Sequence, residues 1–193
     1  MSDAERELEY DEHQVTPLEL FFDLVFVFAI TQVTKLLAQD PTWGGVFRGM
    51  LVLAALWWAW SVYAWLSSAM DVDEGGVRLV MLASMGAMFG AALAVPGAFG
   101  DDGVLFGVAY LLVRLFHLFL SATVVRDDPD RRGALLRFAP TAIVGPSLLV
   151  FAGFLEGDER IAVWLVALAI DYLGPVVIGV GGGWRVAPEH FAE

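Results

Sequence analysis

The chain has 193 residues, 58% of them hydrophobic, and a mean hydropathy of +0.67, too apolar for a soluble domain. Its net charge of −12 argues against a nucleic-acid partner, which needs a basic surface. With no cysteine, it can form no disulfide framework, thiol nucleophile or thiolate metal site.

Residues 1–15 read as an acidic tail in which Arg6 is the one basic residue, unlike the basic start of a cleavable signal peptide. A membrane domain is expected over 16–183. Its first span, about 17–37, starts with Thr16 as N-cap, Pro17 at the first helical position and Glu19 three residues after the cap. Glu19 and Asp23 are four apart and share a face, which continues through Phe26, Ile30 and Thr34 with Thr31 beside them. An acidic, hydroxyl-bearing stripe on an oily helix has to face protein or water. Asp40-Pro41 breaks this span.

The second span, about 46–67, carries Trp57, Trp58, Trp60, Tyr63 and Trp65, read as packing and interface anchors. After a loop at 71–76 comes the third, about 77–95, where Gly86 and Gly90 form a GxxxG pair suited to close helix contact. A turn at 96–103 leads to the fourth, about 104–125, with Arg114 and His117 near its middle. The charged stretch 126–132 reads as a loop. The fifth span, about 134–154, contains Pro140 and Pro146, which should kink it and free backbone carbonyls. The sixth, about 161–180, holds Asp171 and then Gly174-Pro175. Residues 184–193 form a tail.

Six spans put both termini on one side of the bilayer. That side holds Arg6, Arg78, Arg126, Arg131, Arg132, Arg137 and Arg185, against Lys35, Arg48 and Arg160 on the other. The bias places both termini in the cytoplasm of a multi-pass plasma-membrane protein. The acidic loops fit ordinary solvation or the surface of a salt-loving source.

The run Thr16 to Thr34 resembles the signature of the low temperature requirement A (LtrA) family of membrane proteins. So do Arg114-Leu115-Phe116-His117, Ala169 to Pro175, and Pro188 to Glu193. The resemblance implies a helical unit that is one of two in a usual family member, so a homodimer or a missing second half is expected. The family name records a growth phenotype and implies no chemistry. Phe22-Asp23, Val25-Phe26 and Ala29-Ile30-Thr31 are also similar to the first helix of the atypical potassium channels of lysosomes and bacteria. Phe21-Phe22-Asp23 stands where those channels have Phe-Ser-Asp. That likeness implies a pore lined by first helices, with Phe26 or Ile30 as a hydrophobic constriction.

Glu19, Asp23, Arg114, His117 and Asp171 are the ionisable residues within spans. Arg114 keeps its proton, so it needs a carboxylate beside it. Asp23 is the preferred partner and Asp171 the competitor. The cluster reads either as an ion-pair network fixing helix register or as a polar path for a monovalent cation or proton, with His117 able to titrate near neutral pH. No HExxH, Walker loop or nucleophile triad is present, so no enzyme, metal or cofactor is expected. The expected architecture is all-α: a polytopic bundle of about six transmembrane helices in a lipid bilayer. The expected function is LtrA-like cation or proton transport. The alternatives are a structural or sensory membrane protein linked to low-temperature growth and, less supported by motifs, an intramembrane enzyme.

Overall fold

The computed structural model describes residues 17–67, 75–126 and 128–177, and among these it is wholly helical. Six long helices follow one another: α1 Pro17–Gln39, α2 Trp43–Ser67, α3 Gly75–Ala94, α4 Gly103–Val124, α5 Pro129–Ala152 and α6 Gly157–Val177, with a 3-10 turn at Val95–Gly97. By length and composition, α1 to α5 are able to cross a membrane. α6 opens on Asp158, Glu159 and Arg160, carries Asp171, and packs into the same bundle. The tail at 1–15, the Thr16 cap, loop residues 71–74 and the stretch 184–193 lie outside the described residues.

The helix boundaries follow local chemistry. α1 stops at Gln39, just before Asp40-Pro41. The Thr42 hydroxyl donates to Asp40 Oδ1 at 2.6 Å and accepts from the Gly45 N–H at 3.1 Å, while Arg48 pairs with the other Asp40 oxygen. The Thr42 hydroxyl, aided by Arg48, holds the Asp40 carboxyl below its ordinary value, against a smaller opposing effect of desolvation. α5 begins earlier than the sequence reading placed it. Asp128 accepts from the backbone N–H groups of Asp130 and Arg131, and Pro129 occupies the first helical turn. The expected loop at 126–132 is therefore largely a capped helix start, because Asp-Pro offers the same signal read at Thr16-Pro17. α5 runs unbroken across Pro140 and Pro146.

α4 is the central element. Phe106, Tyr110, Val113, His117 and Leu120 recur at alternating spacings of four and three, and all are buried. α4 packs closely on α3 and α5, and α5 on α6; α1 lies against α2 and α3, while α2 touches α4 and α6 only sparsely. Glycines set the tightest of these contacts. A Cβ on Gly107 would sit 2.6 Å from the Val150 backbone, and one on Gly153 would sit 2.5 Å from the Val104 nitrogen. Gly86, by contrast, faces open space and Gly90 meets only Ala109 Cβ at 3.9 Å. Close packing inside the unit therefore runs through α4 and α5, where Gly103 and Gly107 have the same spacing, rather than through Gly86 and Gly90.

Candidate functional site

α4 carries Arg114 and His117 into the interior on its buried stripe. The guanidinium is fully buried, and its Nη2 donates to Asp171 Oδ1 at 2.9 Å. The Tyr110 hydroxyl, one turn earlier on α4, donates to Asp171 Oδ2 at 2.9 Å. Phe138 of α5 lies under the guanidinium, 6.0 Å from ring centroid to Cζ. Small residues bring α6 within reach: Gly174 abuts Thr141, and Gly145 lies against Asp171 and the Ala167 carbonyl. Taking two charges out of water is costly, and the paired, hydrogen-bonded geometry offsets that cost. The carboxylate partner of Arg114 is thus Asp171, the competitor in the sequence reading, and not Asp23.

His117 is also buried. Its ring lies 5.6 Å from that of Tyr63, and its Nε2 is 3.5 Å from the Ser121 hydroxyl. The Tyr63 hydroxyl donates to the Val113 carbonyl at 2.8 Å and lies 2.8 Å from Ser84 Oγ, tying α2, α3 and α4 together. The Val62 carbonyl lies beside the imidazole. Trp58 of α2 packs on Tyr172 of α6 at 4.6 Å, and the Tyr172 hydroxyl donates to the Ala54 carbonyl. Four buried nitrogens around this region have no hydrogen-bond partner among the described residues: Trp58 Nε1, Arg114 Nε and Nη1, and His117 Nδ1.

Asp23 stands elsewhere. It is exposed on α1 and accepts from Trp60 Nε1 at 2.9 Å. Phe26 is buried and stacked on Trp60, at 5.4 Å between centroids, and Ile30 is half-buried. Thr31 and Thr34 are exposed and donate to the Phe28 and Thr31 carbonyls, both at 2.6 Å. Glu19 lies in the first turn of α1; its side chain is outside the described residues. Beside Asp23, Trp57, Trp60, Ser61, Ala64 and Trp65 line an open groove of about 330 Å³. Of the sequence candidates, Arg114, His117 and Asp171 form an interior group, and Asp23 stands apart from it on the outer face of α1. Sequence reasoning missed Tyr110 and Phe138. Tyr110 was findable, because it lies one turn before Arg114 on the same inward stripe. Phe138 carried no signal of its own.

A family model described as "Bacterial low temperature requirement A protein (LtrA)" matches residues 14–193. An uncharacterized protein of Rhizobium meliloti (strain 1021), RA0937, is 33% identical over 168 residues, covering 86% of this chain. The chain spans 41% of that curated relative's length. No solved structure matches.

Proposed function

This chain belongs to the bacterial low temperature requirement A family, and on that premise we propose that it passes monovalent cations or protons along the outer face of α1. One observation carries the reading. Asp23 is an exposed carboxylate in a membrane-length helix, held by Trp60, with no cationic side chain against it among the described residues. Asp23 lies in the second turn of α1, and a carboxylate within a span is costly against lipid, so this face belongs against water or protein. Thr34 is eleven residues on, three turns along the same face. The Thr31 and Thr34 hydroxyls give their protons to backbone carbonyls, which leaves the Thr34 oxygen as an acceptor, while the Thr31 oxygen also accepts from Gln32 Nε2 at 3.2 Å and keeps one lone pair. The face thus offers acceptors of the kind a cation or proton uses. The interior offers the opposite: Arg114 puts a fixed positive charge there, and its carboxylate is already taken.

A second unit supplies the other wall, either a second copy or the further length seen in the longer relative. Ile30, at the edge of the face, forms the constriction; Phe26 is turned inward on Trp60. Both termini lie in the cytoplasm, as the arginine bias directs. Proteoliposomes carrying a potassium or proton gradient test the reading. We expect flux above that of empty vesicles, and at least a tenfold drop in Asp23→Asn with its unfolding temperature unchanged. Equal flux from wild type and Asp23→Asn, or none from either, would overturn it. A purely structural or sensory role is favoured by the locked Arg114–Asp171 pair, and the absence of flux would select it.

A further inference from the structure

We propose that the seam between α2, α4 and α6 binds a small monovalent anion, of halide or carboxylate size. The inference is independent of the path on α1. It begins from a closed ring of contacts. Trp58 packs on Tyr172, whose chain neighbour Asp171 bonds Arg114. Arg114 is one turn from His117, the Val62 carbonyl lies beside His117, and Val62 is one turn from Trp58. This ring sits where helix contacts are sparse, since α2 touches α4 and α6 at few points while α4, α5 and α6 are close-packed on glycine.

The ring is rich in donors and poor in acceptors. Arg114 Nε and Nη1 and Trp58 Nε1 are buried with no partner among the described residues. His117 adds a fourth nitrogen, Nδ1, to which the Val62 carbonyl does not complete a bond. Arg114 is wholly buried and His117 is 7% exposed, so bulk water does not serve them. On the acceptor side, Asp171 has already taken the Tyr110 hydroxyl and one Arg114 N–H. An unpaired buried donor costs about 1–3 kcal/mol, and the Arg114 guanidinium alone leaves two. Water is a poor remedy, because each molecule that accepts two bonds brings two more protons needing acceptors. A species that only accepts is the better match: a halide or a carboxylate, which takes charge-assisted bonds from a guanidinium and an indole N–H.

Charge then dictates a coupling. The ring's own charges cancel, with Arg114 offset by Asp171, so an anion arriving alone leaves one uncompensated negative charge in the interior. A proton taken up at Asp171 or His117 restores neutrality. Asp171 faces Arg114 and Tyr110 from α4 and neighbours Tyr172 on its own helix. His117 faces Tyr63 from α2, with Arg114 and Ser121 on its own helix. Among the described residues, Arg114 is the one fixed cation facing either of them.

The test is thermal unfolding of the purified chain in detergent. Sodium chloride or sodium acetate is titrated at constant ionic strength against bulky sodium gluconate. We expect a saturable rise in unfolding temperature with at least one of the two anions. A response to chloride alone identifies a halide site, and one to acetate a carboxylate site. Trp58→Phe removes one donor and keeps an aromatic ring against Tyr172, and should raise the half-saturating concentration roughly tenfold or more. Trp164→Phe, in the Phe99–Phe106 stack away from the ring, should leave it unchanged. Calorimetry in buffers of different ionisation enthalpy should show about one proton taken up per anion bound. No saturable response to either anion, a Trp58→Phe titration matching wild type, or binding without proton uptake would each overturn the proposal.

Discussion

At the scale of single residues, the two aspartates are predicted to behave in opposite ways. Asp171→Asn strands a fully buried guanidinium and should lower stability by about 3–5 kcal/mol. Asp23→Asn keeps an amide oxygen for Trp60 on an exposed face and should stay within about 0.5 kcal/mol. Adding Arg114→Gln to Asp171→Asn should recover part of the loss, because the two changes remove one interaction. Chemical unfolding in detergent measures wild type, Asp23→Asn, Asp171→Asn, Arg114→Gln and the double variant. Strictly additive losses would mean that the pair is not the unit described. The sequence made Arg114's need for a carboxylate plain but not which one would meet it. Spacing along a helix gives depth and face. It does not give the neighbour across the gap, and Asp23 and Asp171 had matching depths.

At the scale of elements, helix existence was readable from the long apolar runs and their breakers. The boundary at Asp128-Pro129 carried a start signal too, an acidic cap before proline, but it sits inside a charged stretch that reads as a loop. The helix contacts were less readable. Gly86 and Gly90 share a face by spacing, yet among the described residues nothing presses on Gly86, while a second pair at the same spacing, Gly103 and Gly107, went unread and holds the α4–α5 contact. Substitution to alanine separates the two cases. Gly107→Ala drives a methyl into the Val150 backbone and should destabilise by about 1–3 kcal/mol. Gly86→Ala meets open space and should be neutral, or stabilising by up to about 1 kcal/mol through helix propensity. Melting temperatures that move equally would contradict the packing assigned to α4 and α5.

At the scale of the whole molecule, composition alone placed the chain in a membrane, and the arginine bias predicts how it sits there. The turn at 98–102 and the start of α5 lie at opposite ends of α4. Since the chain has no cysteine, Asp101→Cys and Asp130→Cys each provide a single reporter. In intact cells, an impermeant maleimide should label position 101 and reach position 130 only after lysis. Labelling of both from one side would refute the topology. What the sequence could not supply at this scale is the molecule's outer boundary. The Asp23 face and the tryptophan groove are surfaces of this unit alone, and the chain spans 41% of its curated relative.

The ion pair at the centre also carries a history. Arg114 and Asp171 are 57 residues apart. At a synthesis rate of about 5–20 residues per second, the ribosome makes the cation roughly 3–11 s before its counter-ion exists. Throughout that interval the fourth helix is a span with a naked guanidinium at mid-depth. It has to wait beside the insertion machinery, or snorkel, until the sixth is released. The ion pair therefore closes only once α6 has emerged, and a ribosome stalled before codon 171 leaves a nascent chain whose central helix carries an unpaired charge in the bilayer.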